Sequence, residues 1–381
     1  MQIFSLIGEV FSRKASFDWL LFFSALMIAF FGLITMNAFT GENLFFEKQL
    51  ISLAVALGAF YLATRVDTDI LKRTNVLVGM FVFMFIVLVL LSVVGEATKG
   101  ATSWFKVGDF SFQPGDVMKL LLILILAKYF SRRHIEIAHF SHIIVSGVYA
   151  LIPFLLVLLQ PDFGSAMIIF FIWFGMILVS GVSKKHLALV FLAGAIVFGG
   201  MWSSVFEPYQ KDRIMTFIHP LADIQGAGYN SYQSTIAIGS GEVLGKGVGY
   251  GTQSRLQFLP EHQTDFIFSA FAEEWGLVGV FILFILFLVI IVRILMIAMV
   301  GATNFEMLYG MGVAIFLMSH FVVNIGMAIG LLPVTGVTVP FMSFGGSHLL
   351  VEFIALGLLV SMKKTARPSH RSALKNEFLG V

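Results

Sequence analysis

Phe258-Leu-Pro-Glu-His-Gln-Thr-Asp265-Phe-Ile-Phe-Ser-Ala-Phe-Ala-Glu273-Glu274-Trp-Gly-Leu-Val-Gly279 joins a dense polar cluster to an apolar run that continues to Val292. A bilayer core of about 30 Å needs roughly 20 apolar residues in a helix, so this run is long enough to cross. Its carboxylates then stand where the chain meets lipid. An unpaired charge there costs several kcal/mol, so such residues face a wet cavity or serve a function. The run over 266–292 exceeds one straight crossing, so it either starts above the membrane or bends near Gly276 and Gly279.

The rest of the chain has the same character. Its 381 residues are 58% hydrophobic and 12% charged, with mean hydropathy +0.94. Soluble domains carry about 25% charged residues. The expected fold class is therefore an all-α polytopic membrane protein with about ten transmembrane helices. The spans fall near 17–36, 49–64, 75–94, 114–130, 142–159, 163–182, 186–204, 266–292, 305–330 and 347–362. Arg13 and Lys14 precede a first run that has no small-residue cleavage site, so that run reads as a helix and not as a signal peptide. The absence of cysteine removes disulfide and thiolate chemistry.

Basic residues orient the spans. With the N-terminus in the cytoplasm, sixteen of the 24 lie inside, seven lie outside, and Lys119 falls within the fourth span. Both termini are then cytoplasmic. Residues 1–381 read as one integral membrane domain, with a large outer loop over 205–263 and a cytoplasmic tail over 363–381. Loops of that length are functional or disordered. Tyr229, Tyr232, Ile236 and Ile238 suggest a short helix over 229–240 lying on the membrane.

Several constellations carry chemistry. Gln113-Pro-Gly-Asp116-Val-Met-Lys119 opens a helix and puts Asp116 and Lys119 on one face. They form either a structural ion pair or a charge pair lining a polar cavity. Asp162 in Gln160-Pro-Asp-Phe-Gly-Ser165 caps the next helix or faces a site. Glu207, Lys211, Asp212 and Arg213 open the large loop and present cations to solvent or to an anionic headgroup. Gly239 to Gly251 lacks the spacing of a phosphate-binding loop, and its glycines serve tight turns and close backbone approach. Pro333, Pro340, Gly345 and Gly346 break helices beside Ser343, in a loop without charge that must be packed or line a cavity. Asp265 stands at the mouth of the eighth helix with Glu261 and His262 upstream, and a capping role competes with a catalytic one.

These motifs, in order, resemble the SEDS family of bacterial membrane proteins, its RodA branch more than its FtsW branch. The matching segments include Gly100-Ala…Trp104, Gln113-Pro…Lys119, Gln160-Pro-Asp162, Lys211-Asp-Arg213, Gly228-Tyr-Asn-Ser-Tyr-Gln-Ser234, Gly251-Thr-Gln-Ser254, Thr264-Asp-Phe-Ile-Phe268, Gly330-Leu-Leu-Pro-Val-Thr-Gly336 and Pro340-Phe-Met-Ser-Phe-Gly-Gly-Ser347. The chain departs from the family pattern at Ser103, Gly115, Asp116, Gln263 and Phe344. The resemblance implies a peptidoglycan glycosyltransferase that polymerises lipid II on the outer face of the cytoplasmic membrane, for cell elongation and shape. It implies a class B penicillin-binding protein as partner, with undecaprenyl-linked glycan and membrane lipid as further contacts.

The family's essential aspartate maps onto Asp265, the expected catalytic residue. Asp116, Lys119, Asp162, Lys211, Arg213, Glu261 and Ser343 are the expected substrate-binding residues. Removing a proton from an attacking sugar hydroxyl suits a positioned carboxylate, worth about 10²–10⁴-fold. The departing diphosphate needs cations, for which Lys119, Lys211 and Arg213 are candidates. A divalent cation, Mg2+ or Mn2+, is the one cofactor the chemistry leaves open. A flippase for a lipid-linked sugar explains Asp116 and Lys119 equally well but not the polar outer loop. A non-catalytic cell-wall scaffold is the third reading.

Overall fold

A run of Leu, Ile, Val and Phe about 20 residues long has one way to satisfy its backbone in lipid, the α-helix. The computed structural model describes residues 17–39, 44–94, 103–107, 110–132, 140–181 and 228–365, with scattered positions between 192 and 217. Among them the order is α1 (Trp19–Asn37), α2 (Leu44–Ala63), α3 (Thr68–Leu71), α4 (Thr74–Val94), β1 (Phe105–Val107), β2 (Phe110–Phe112), α5 (Pro114–Ser131), α6 (Phe140–Leu159) and α7 (Phe163–Val179), then α8 (Tyr229–Ser240), α9 (Thr252–Arg255), α10 (Ile267–Val300), α11 (Asn304–Ala328) and α12 (Gly346–Thr365).

Seven of these, α1, α2, α4, α6, α10, α11 and α12, are long and apolar enough to cross a membrane. At 17 residues, α7 is a shorter apolar helix. Three charges, Asp116, Lys119 and Lys128, lower the hydropathy of α5. The expected run at 186–204 lies largely outside the described residues, so the count of ten is not established. Arg213, most of the outer loop before Gly228 and the tail beyond Thr365 also lie outside them.

The sequence sets several helix ends. Asp18 caps α1, accepting from the Leu21 N–H at 3.2 Å. Asp162 caps α7, accepting from the Ser165 N–H at 2.9 Å, which is the expected capping role. Thr303 and Glu306 form a reciprocal capping box on α11. Pro114 occupies the first turn of α5, where its missing N–H costs nothing.

The centre of the bundle is α5, packed by α4, α6, α7, α11 and α12. Its run from Leu120 to Ala127 is buried on every side, as a helix apolar all round requires. At the periphery α1, α2, α4 and α6 expose Phe23, Leu62, Phe83 and Leu159, side chains that a bilayer covers. A short antiparallel hairpin pairs Phe105 with Phe112 and sits against α12, an element the hydropathy reading did not foresee.

The expected bend in the long helix is present. Gly276 breaks α10 with φ 65° and ψ −167°, a conformation open essentially to glycine alone. The break frees carbonyls and N–H groups that a helix would pair. Residues 241–249 take them up: the Lys246 and Gly247 N–H groups donate to the Glu273 and Glu274 carbonyls, while Leu277 and Val278 N–H donate to the Glu242 and Val243 carbonyls. Only glycines fit so close. A Cβ on Gly241 would lie 2.1 Å from the Ala272 carbonyl oxygen, and one on Gly245 2.1 Å from that of Glu274. The expected backbone role of this glycine tract is therefore seen directly.

Candidate active site

Asp265 lies in the turn before α10, half-buried. The cap position of α10 is Phe266, so Asp265 and Thr264 lie just before the cap and not at it. Its backbone is fixed from three sides. Asn324 on α11 donates from one amide to the Asp265 carbonyl at 2.7 Å and to the Val337 carbonyl at 2.6 Å. Ser343 donates to the Thr264 carbonyl at 2.7 Å while accepting from the Val339 N–H at 2.8 Å. The Phe344 N–H donates to the Gln263 carbonyl at 2.9 Å. A Cβ on Gly336 would lie 3.5 Å from Asp265 Oδ2, so this glycine keeps one edge of the carboxylate uncrowded.

Glu261 and His262 stand beside it. Glu261 adopts a positive φ of 50° and accepts from the Thr264 hydroxyl at 3.1 Å. His262 contacts the Leu259 carbonyl through Nδ1 at 2.9 Å and meets the Phe39 ring edge-on. Burial pushes the His262 pKa down, against the opposing pull of the Leu259 carbonyl and Glu261, so the ring is neutral at pH 7. The mouth thus offers carboxylates and a neutral imidazole.

A second polar cluster lies inside the bundle. Lys119 Nζ is 3.0 Å from Asp116 Oδ1 and donates to Ser165 Oγ at 3.3 Å, with both charged side chains 2% exposed. Gln113 donates to Asp162 Oδ2 at 2.8 Å and to Ser165 Oγ at 3.4 Å. From α12, Ser347 donates to Asp116 Oδ2 at 3.4 Å, and His348 Nδ1 lies 3.4 Å from Asp116 Oδ1. His348 Nε2 lies 3.0 Å from Glu352 Oε1, close in distance but without hydrogen-bond alignment. His320 stacks obliquely on His348, with centroids 4.5 Å apart. Hydropathy and spacing had passed over His320, His348 and Glu352. The available signal was an i,i+4 His–Glu pair in an apolar helix.

The loop over 330–345 couples the two clusters. It is packed in protein, with Val337, Val339, Phe341 and Met342 buried, as uncharged irregular backbone at membrane depth must be. Glu352 Oε2 accepts from the Phe341 N–H at 2.8 Å. Gln49 donates to the Ser343 carbonyl at 3.0 Å and accepts from the Gly345 N–H at 3.2 Å. Gly164, beside Asp162, lets α7 reach the loop: its Cβ would lie 2.4 Å from the Thr335 carbonyl oxygen.

Of the expected substrate-binding residues, the fold gathers Asp116, Lys119 and Asp162 in the buried cluster and Glu261 and Ser343 at the mouth. Burial and pairing commit Lys119 to Asp116 and Ser165, and the Ser343 hydroxyl to backbone groups. Lys211 is half-buried, and Arg213 lies outside the described residues. Among the described residues no group of three or more His, Asp or Glu is placed to hold a metal ion.

The family model for cell cycle proteins of the FtsW, RodA and SpoVE type matches residues 13–368. Peptidoglycan glycosyltransferase MrdB of Escherichia coli K12 is 35% identical over 283 residues, covering 74% of this chain and 76% of that protein. Stage V sporulation protein E of Bacillus subtilis 168 is 34% identical over 370 residues, 93% of this chain and 99% of the other. Among solved structures, a chain of a peptidoglycan synthase complex that coordinates polymerization and crosslinking superposes with TM-score 0.80 at 29% identity, covering 93% of this chain and 99% of its own. The rod shape determining protein RodA of Thermus thermophilus gives TM-score 0.70 at 27% identity, covering 94% and 100%.

Proposed function

Since this chain belongs to the FtsW, RodA and SpoVE family of cell cycle proteins, we propose that Asp265 is the general base of its glycosyl transfer. The chain is a peptidoglycan glycosyltransferase and a multi-pass membrane protein. The observation that carries the assignment is a half-buried carboxylate at the mouth of α10, on backbone fixed by Asn324 and Ser343.

The donor is a sugar on a lipid diphosphate, lipid II, and the acceptor is a sugar hydroxyl. Asp265 takes the hydroxyl proton as its oxygen attacks the anomeric carbon. The bond from that carbon to the diphosphate oxygen breaks, and the electron pair leaves with the lipid diphosphate. Lys211 and Arg213 are the cations assigned to that leaving group. Lys119 is assigned to holding the buried polar cluster together, because its charge is paired with Asp116. The site faces the outer side of the cytoplasmic membrane, and a class B penicillin-binding protein is the partner. The basic-residue asymmetry supports that orientation, and the synthase-complex neighbour supports that partner.

The test is glycan polymerisation from lipid II by purified protein with its partner. Asp265→Asn keeps the shape and removes the base, so the rate is expected to fall by about 10²–10⁴-fold with thermal stability unchanged. A variant within about threefold of wild type, against that 10²-fold minimum, removes the assignment and passes it to Glu261. Polymer formation by the wild-type chain also separates the enzyme from a flippase or a scaffold. In intact spheroplasts, an impermeant thiol reagent should label a cysteine at Gln257 and spare one at Asp69; the reverse pattern inverts the orientation.

A further inference from the structure

The segment after α8 carries apolar side chains that the protein leaves uncovered. Leu244 is 81% exposed, Tyr250 69%, Leu256 61% and Val243 58%. Soluble surfaces seldom gather such residues in one short stretch.

Where the segment sits identifies what covers it. On one side it is stitched to α10, the Leu277 N–H donating to the Glu242 carbonyl at 3.0 Å and Val278 to Val243 at 3.1 Å. Leu277 and Val278 begin the exposed face of a membrane-spanning helix that continues through Phe281 and Ile285. On the other side Gly249 approaches Ala38 at the end of α1. There Val248 roofs an apolar groove of about 540 Å³ that runs down past Phe30, Ile34 and Leu50. The exposed side chains are thus continuous with two lipid-facing helices.

Helix length gives the depth. Leu277 stands 16 residues above Arg293, about 24 Å at 1.5 Å per residue. Arg293 pairs with Asp18, the cap at the opposite end of α1, and the 19 residues of α1 span about 28 Å. The hydrocarbon core is about 30 Å thick. Both rulers place residues 243–250 at or just inside one boundary of that core.

Irregular backbone at such depth must satisfy its own polar groups. Much of this stretch does so: Gly245, Lys246, Gly247 and Tyr250 N–H donate to backbone carbonyls, and Gly249 N–H donates to Glu274 Oε1 at 3.0 Å. Lys246 stays partly exposed but pairs its ammonium with Glu273 Oε1 at 2.8 Å, beside the exposed Leu244 and Tyr250. Arg255 reaches back to the Gly249 carbonyl, at the level where an aromatic and a cation suit the headgroup layer.

We infer that residues 243–256 form a lipid-inserted edge, seated in one leaflet at the end of the bundle opposite the Asp18–Arg293 pair. The occupant of this surface is the bilayer itself. The inference does not depend on the assignment of Asp265.

The chain has no cysteine, which makes the test direct. Leu244→Cys, Tyr250→Cys and Leu256→Cys, each at an exposed position, are labelled with a nitroxide. The full chain is reconstituted into phosphatidylethanolamine–phosphatidylglycerol vesicles. Collision with oxygen, which concentrates in hydrocarbon, is compared with collision with a water-soluble nickel chelate. Ile285→Cys is the lipid reference and free label in buffer the aqueous one. The expected result is a signature at all three sites that is richer in oxygen and poorer in nickel than free label, shallower than that of Ile285, and unchanged in an Asp265→Asn background. Nickel-rich signatures in vesicles holding this chain alone overturn the inference. Nickel access that a penicillin-binding protein then blocks also overturns it, and reassigns the face to protein docking.

Discussion

Lys119 shows how a single buried charge is read. Its ammonium is held by Asp116 and Ser165 in a site that water does not reach. Removing one partner of such a pair costs about 3–5 kcal/mol, because the other charge stays buried and unpaired. Here His348 also faces Asp116, which tempers the loss. Lys119→Met is therefore expected to destabilise the protein by about 3 kcal/mol, the low end of that range. The double change Lys119→Met, Asp116→Asn should recover part of the loss, since no lone charge remains. Thermal unfolding in detergent measures both. A double variant less stable than Lys119→Met would mean that Asp116 is supported by other groups and that the pair is not the unit.

At the scale of an element, the decisive position is Gly276. Its backbone conformation costs another residue about 1–3 kcal/mol. An added Cβ would also lie 2.2 Å from the Gly245 nitrogen and 2.6 Å from the Val243 carbonyl oxygen, both backbone atoms that cannot swing aside. Gly276→Ala should lower the unfolding midpoint and loosen residues 241–249 together, because the same break supplies their hydrogen-bond partners. Faster tryptic cleavage at Lys246, beyond that of wild type, is the expected readout. An alanine variant with unchanged midpoint and unchanged cleavage would show that the helix tolerates closure of the break.

Across the whole molecule, Asp18 ties three elements at one end of the bundle. It caps α1, accepts from Arg293 Nε on α10 at 3.0 Å and from Lys363 on α12 at 3.0 Å. Burial raises its pKa, but the hydrogen bonds from Arg293 and Lys363 outweigh burial, and the net shift is downward. A carboxylate with a lowered folded-state pKa stabilises fully above its unfolded value, near 4, and loses that contribution as pH falls through the folded value. Asp18→Asn should therefore cost about 3 kcal/mol at pH 7, where two cations lose their partner, and progressively less as the solution is acidified below pH 4 or so. Unfolding midpoints across pH 3–7 test the convergence, and a gap that stays constant with pH would remove Asp18 as the titrating group.

Periodicity and composition alone determined the membrane class, most of the spans and the backbone role of the glycine tract, and offered a cap at Asp162 and a bend near Gly276 as alternatives. Each is a local matter: hydrophobic length, helix propensity and glycine's access to positive φ act within a few residues of chain. The motif order identified the family and marked Asp265. Tertiary structure decided the rest. Only packing fixed the backbone around Asp265, since Asn324 and Ser343 reach it from elements distant in the chain. Only packing brought His348 of α12 to Asp116 of α5, more than two hundred residues away. A charge's partner is set by which helices are neighbours, and helix neighbours are chosen by shape and burial over the whole bundle, not by spacing along the chain.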